Sequence, residues 1–186
     1  MYIDIQPSIR ILSIDPGTYH TGIAIMDLDY LGKINIRFVE TIDSEHLSLT
    51  MGDVIHIHGD RFARILAITR QITHLMELYK PNVIVSESPY MGRFPTAYGA
   101  LMEVLAMIRL TIYQCNPSME FLTIEPSVVK QAFNVKGTSG NKQLMYEGLL
   151  KLNLDFDTYL HWQNFDEHSI DAIAVGYAHC KRLNEY

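Results

Sequence analysis

Cysteine is scarce: Cys115 and Cys180 are the only two in 186 residues. Two thiols make no disulfide framework, so the fold must rest on its core and the chain reads as a protein of a reducing compartment. No apolar run approaches about 18 residues, so no membrane-spanning helix and no membrane partner are expected. The opening Met1-Tyr2-Ile3-Asp4-Ile5 lacks the basic-then-apolar pattern of a secretory signal. A cytoplasmic place, in a bacterial or phage-infected cell, is the expectation. Repeats, low-complexity tracts and Pro/Ser linkers are missing as well, and residues 1–186 are read as one domain. Basic residues are in the minority, 15 Lys and Arg against 21 Asp and Glu, for a net charge of −6. A uniformly basic DNA-coating protein is thereby excluded, while binding through a local positive field is not. What the chain does have is apolar material, 48% of residues against 19% charged, which excludes wholesale disorder.

The apolar residues are patterned. Ile9 to Ile14 is β-rich and stops at Asp15-Pro16-Gly17, a strong turn signal. Gly22 to Met26 and Ile34 to Val39 read as two further strands of an antiparallel meander. Residues 40 to 60, with His46, His56 and His58, read as an irregular connection. From Asp60 to Tyr79, Phe62, Ile65, Leu66, Ile72, Leu75, Met76 and Tyr79 recur near 3.6 residues, which predicts a helix stopped by Pro81. Val83-Ile84-Val85 is apolar on both faces, as in the interior of an α/β sheet. A helix over Thr96 to Tyr113, a fifth strand at Phe121 to Ile124, and helices over Ser127 to Phe133, Asn141 to Leu152 and Glu167 to Arg182 complete the expectation, with residues 153 to 166 as loop. The fold class is α/β: a mixed five-stranded sheet with helices on both faces.

Within that scheme, Asp15 ends the first strand and Glu87 ends the strand after the first long helix. If those strands are parallel neighbours, the two carboxylates lie about 4.8 Å apart laterally, at the kind of sheet edge where α/β proteins bind ligands. His168 and Asp171 are three apart in the first turns of the last helix and share a face. Asp171 is followed by Ala172-Ile173-Ala174-Val175-Gly176, so a carboxylate opens a helix that is apolar nearly all round and needs a partner. Three carboxylates gathered in one pocket repel, and a divalent cation resolves the conflict. Oxygen donors favour Mg²⁺, with Mn²⁺ as a substitute. Two such ions about 3.5–4 Å apart activate a water and stabilise the leaving 3′-oxygen of a phosphodiester. A pocket of this kind reads as a nuclease.

The same residues resemble a known family. Ile11-Leu12-Ser13-Ile14-Asp15-Pro16-Gly17-Thr18 with Thr21-Gly22 is similar to the first motif of the RuvC Holliday-junction resolvases, and Ile84-Val85-Ser86-Glu87-Ser88-Pro89-Tyr90 to the second. Pro126-Ser127-Val128-Val129-Lys130-Gln131 with Gly137-Thr138-Ser139-Gly140-Asn141-Lys142 resembles their basic segment, and His168-Ser169-Ile170-Asp171-Ala172 their terminal motif. The motifs stand in family order across residues 11 to 178. The resemblance implies an RNase H-like fold, a homodimer, and metal-dependent cutting of two strands of a four-way DNA junction. It implies Asp15, Glu87, His168 and Asp171 as catalytic metal ligands, the fourth family position being Asp in some members and His in others. Tyr90 takes the place of an aromatic that stacks on bases at the junction centre, and Lys130 and Lys142 those of phosphate-facing lysines.

The residues themselves give these assignments a basis. Lys142 follows a Gly-containing loop at a helix start, where backbone N–H groups and a cation together attract an anion. Lys130, Lys136, Lys142 and Lys151 face Glu147 alone, a locally basic segment in an acidic chain. Tyr90 and Phe94, with Arg93 between them on one loop, are placed to meet DNA, and an aromatic there stacks on an unpaired base for about 1–3 kcal/mol. The helix from Thr96 to Tyr113, apolar around more than one side and carrying Met102 and Met107, is assigned the two-fold contact. His56-Ile57-His58 reads as alternation on a strand or plain solvation rather than a metal pair, and both cysteines as ordinary semi-buried thiols. Two other classes share parts of the pattern. An actin- or sugar-kinase-like ATPase also opens on Asp-x-Gly-Thr, but needs a duplicated domain and a second phosphate loop, and Ser86-Glu87-Ser88 has no glycine. A binding protein without catalysis would not keep four competent ligand positions. A relative acting on forks, flaps or RNA would share the same pocket.

Overall fold

Three β-rich stretches near the N-terminus pair as a meander. In the computed structural model, which describes residues 9–92, 94–134, 142–152 and 154–184, β1 (Ile9–Asp15), β2 (His20–Leu28) and β3 (Ile34–Asp43) run antiparallel in sequence order. β4 (Val83–Glu87) lies parallel to β1 on its other side, and β5 (Glu120–Ile124) parallel to β4. Among the described residues the sheet has six strands rather than five, in the order β5-β4-β1-β2-β3-β6. The sixth, β6 (Asp155–Phe156), is two residues long and pairs with Asn35 and Ile36. So short a strand has no periodicity to read. Ion pairs of Lys33 with Asp155 and Arg37 with Asp157 hold it in place.

Helices α3 (Asp60–Tyr79) and α4 (Pro95–Cys115) cover one face of the sheet, burying Ile65, Ile68, Ile72, Val104 and Ile108 against Leu12, Ile14, Ile23, Ile25 and Ile84. Helices α5 (Pro126–Ala132), α6 (Lys142–Leu150) and α7 (Glu167–Asn184) cover the other, over Ile11, Ala24, Met26, Val83 and Val85. β4, interior to the sheet, is apolar over Val83-Ile84-Val85, where it is buried on both faces. The breaks follow local chemistry. Lys80, at φ 49°, ends α3 before Pro81, and Pro95 and Pro126 open α4 and α5, where a missing N–H costs nothing.

Residues 40 to 60 are more regular than expected. β3 continues to Asp43, whose side chain accepts from the His46 N–H and caps α1 (Ser44–Ser48). A second short helix, α2 (Gly52–His58), buries no residue, and Gly59 at φ 85° separates it from α3. His56 and His58 are exposed on α2, a helix instead of a strand, with His58 against the Phe62 ring. Helices of five and seven residues are too short for a 3.6-residue pattern to emerge. The cysteines also divide: Cys115 is exposed, while Cys180 is fully buried with its thiol pushed up to about 12 by burial.

Candidate active site

The parallel register places the first two carboxylates. Ile14 is aligned with Ser86, so the next residue on each strand, Asp15 and Glu87, stands at the same end of adjacent strands. Ser13 and Ser86, one or two residues before them, are fully buried, and the chain emerges from the core at the carboxylates. Asp15 keeps 14% of its side-chain surface, enough to meet a ligand while shielded by the fold.

Helix α7 brings the other two, and glycine makes its approach achievable. A β-carbon on Gly22, the cross-strand partner of Asp15, would stand 1.9 Å from the His168 carbonyl oxygen. Two turns on, a β-carbon on Gly176 would meet the Met26 sulfur at 2.6 Å and Ser13 Oγ at 2.8 Å. Backbone therefore rests directly on sheet at both points. Ala172, Ile173, Ala174 and Val175 are almost completely buried between them. The outcome is that His168 Nδ1 lies 3.3 Å from Asp15 Oδ2. Asp171 sits one turn further along α7, half-buried. His168 Nε2 is 3.9 Å from Glu167 Oε1, and the His20 ring packs on the His168 ring with centroids 5.5 Å apart.

The start of α7 is fixed from the β3 side. Asp166 Oδ1 accepts from the Ser169 N–H at 2.8 Å and the Thr41 hydroxyl at 2.6 Å, and Thr41 and Ser169 hydroxyls are 2.9 Å apart. Burial alone would push the Asp166 carboxyl up. The hydrogen bonds from Thr41 and Ser169, with His168 nearby, outweigh it and hold it below the usual carboxylate range. This clamp escaped the sequence reading, although Asp-x-x-Ser ahead of an apolar run is a helix-start signal. His20 escaped as a site component, and Gly22, though part of the first motif, had no stated role, because neither has a structural meaning until α7 is laid across β2.

Of the four expected ligand residues, Asp15 and Glu87 thus end adjacent strands on one side, His168 touches Asp15, and Asp171 lies one turn further along α7. Among the described residues no three His, Cys, Asp or Glu side chains are close enough together to form a metal cluster. Of the expected DNA contacts, Tyr90 and Phe94 are 76% and 74% exposed on the loop after β4. Lys130 is half-buried in the last turn of α5. Arg93, Lys136, the 137–140 loop and the side chain of Lys142 lie outside the described residues.

A meander, two parallel strands beside it and a last helix laid over the acidic edge define an α/β protein of the RNase H-like type. The model of the crossover junction endodeoxyribonuclease RuvC family matches residues 11–179, and the chain belongs to that family. It is 26% identical over 175 residues to the RuvC of Xanthomonas axonopodis pv. citri, covering 91% of this chain and 86% of the relative. It is 30% identical over 151 residues to the RuvC of Neorickettsia sennetsu, covering 77% and 79%. Among solved structures, Thermus thermophilus RuvC in complex with Holliday junction substrate superposes with a TM-score of 0.70 at 15% identity, over 95% of this chain and 96% of that one. The yeast mitochondrial Holliday junction resolvase gives 0.66 at 17% identity, over 99% and 84%.

Proposed function

We propose that this chain is an endodeoxyribonuclease that hydrolyses phosphodiester bonds at four-way DNA junctions in recombination and repair, the whole chain working as one nuclease domain. The observation that carries the reading is the Asp15–His168 contact, made beside Glu87 and one turn from Asp171, in a chain of this family. A donor set of three carboxylates and one imidazole fits a hard divalent cation. Asp15, Glu87, His168 and Asp171 are assigned to hold two Mg²⁺ ions, with Mn²⁺ as substitute. When bound, the ions supply activation of the attacking water and charge neutralisation at the leaving 3′-oxygen.

The chain's own residues prepare that chemistry. Asp15 engages His168 through Nδ1, which orients the ring, and Nε2 would be the nitrogen left to hold a metal. The Asp166–Thr41–Ser169 clamp holds the α7 start, so His168 is held against Asp15 before DNA arrives. Tyr90 and Phe94 are assigned to stack on bases of the open junction, and Arg93, Lys130, Lys136 and Lys142 to meet phosphates. A homodimer would present two such edges to two strands, and Met102, Leu110 and Tyr113, all exposed on α4, support α4 as its contact. No helix among the described residues is long and apolar enough to cross a membrane, and the cytoplasm is the location assigned.

Labelled four-way, forked, flap and linear DNA incubated with Mg²⁺ test the proposal. Paired cuts confined to the four-way substrate are expected. Equal cutting of forks or linear duplex, or no cutting of any substrate, overturns it.

A further inference from the structure

The turn between β1 and β2 is held in place from outside the acidic edge. Arg64, on α3, is buried with 7% of its side chain exposed. Its guanidinium pairs with Asp60 one turn earlier, donates from Nε to the Thr18 carbonyl at 3.2 Å, and lies over the Tyr19 ring 4.1 Å from the centroid. From α1, the Ser44 hydroxyl shares its proton between the Thr18 and Tyr19 carbonyls, at 3.0 and 2.9 Å, and the Ser44 N–H donates to the Tyr19 carbonyl at 2.9 Å. This is what residues 43 to 64 do: two helices grip a four-residue turn that leads directly from Asp15.

Yet Tyr19 remains 46% exposed. Consecutive residues of the turn face opposite sides: His20 packs on His168 beside the acidic edge, and Tyr19 on Arg64 across the turn. Arg64 covers one ring face, and its charge is already used by Asp60, the Thr18 carbonyl and the ring itself. The ring is thus held flat without being enclosed. Holding an aromatic in one orientation lowers the ordering cost of any ring that stacks on it. Four residues of chain limit Tyr19 to about 14 Å from Asp15. A strand advances about 3.4 Å per nucleotide, so Tyr19 stands within about four nucleotides of a phosphate held at Asp15.

We infer that Tyr19, braced by Arg64, is a stacking platform for a base of the cut strand within a few nucleotides of the scissile phosphate. It is a second aromatic contact, on a different loop and element from Tyr90 and Phe94. The inference rests on the proposed junction-cutting reading. A planar, hydrophobic ring held at fixed tilt takes any base by its π-face, so the contact orders the strand without reading its sequence.

Four-way junctions carrying 2-aminopurine at each of the four nucleotides on either side of the mapped cut test this, with Ca²⁺ in place of Mg²⁺ so that binding is read without cutting. Wild type is expected to quench the probe at one of these positions. Tyr19→Phe should keep the quench. Tyr19→Ala should lose it at that position only, and bind the junction roughly fivefold or more weakly, with an unchanged melting temperature showing an intact fold. Arg64→Lys, which removes the planar group behind the ring, should weaken the quench while Tyr19 is still present. Equal quenching by wild type and Tyr19→Ala, or none at any position with the junction bound, overturns the inference. Absence of both junction binding and cutting in wild type would instead count against the proposed function.

Discussion

The carbonyl oxygen of His168 occupies the space beside Gly22 that a side chain would need, 1.9 Å from where its β-carbon would be. Two residues 146 apart in sequence therefore set how closely the last helix approaches the strand that pairs with Asp15. Since both sides of the contact are backbone, neither yields by a rotamer change.

Gly22→Ala is accordingly expected to push the start of α7 off the sheet and separate His168 from Asp15. Overpacking at such a site costs about 1–3 kcal/mol. The variant should melt lower, bind junction DNA nearly as wild type does, and cut it far more slowly. Thermal melting, gel-shift binding and single-turnover cleavage measured together check this, and wild-type cleavage at a lowered melting temperature would contradict it.

Asp15→Asn and Glu87→Gln change charge with little change of shape. Each should slow cleavage by more than about 100-fold, since groups that merely support a metal ligand are already worth about 10–100-fold, while junction affinity is retained. Calorimetric titration with Mg²⁺ or Mn²⁺ should show weakened uptake in both variants. Undiminished metal uptake would remove that residue from the ligand set.

Lys130→Ala and Lys142→Ala address the phosphate contacts. A lysine that neutralises one phosphate contributes about 0.9 to the slope of log affinity against log salt. Each variant should flatten that slope by about this amount, and an unchanged slope in both would take them out of the interface.

His179 on α7 is 7% exposed, and burial is the main reason its imidazole titrates below the usual 6.5, with Arg182 acting in the same direction and Glu120 against it. The unfolded chain then binds a proton near pH 6.5 that the folded chain resists. Stability from this group is therefore undiminished above pH 6.5 and falls as the pH drops from there toward the folded value. The melting temperature should decline on acidification below about pH 6.5, and His179→Asn should reduce that decline. Melting curves at pH 5 to 8 measure it, and parallel pH profiles for both proteins would refute the assignment.

Much of the architecture was legible in advance. The meander, the long helices and the central strand carry residues whose burial pattern is local, with periods of 2 or 3.6 or an unbroken apolar run, and the structure reproduces them within a few residues. β6 and the two short helices between β3 and α3 were not, because elements of two, five and seven residues are fixed by partners such as Arg37, Asp157 and Ser44 rather than by their own periodicity. Asp15, Glu87, His168 and Asp171 stood out as residue types at element ends, and the parallel pairing of β1 with β4 brings the first two to one edge.

From residue order alone came the fold class, the three candidate carboxylates with their histidine, and the family pattern, for these depend on side-chain chemistry and on spacings along one element. The contact of His168 with Asp15, the need for glycine at positions 22 and 176, and the Arg64 brace behind Tyr19 arise between segments dozens of residues apart. Which atoms meet across such gaps is set by how the sheet and helices pack, and packing is a property of the whole core that no local stretch encodes.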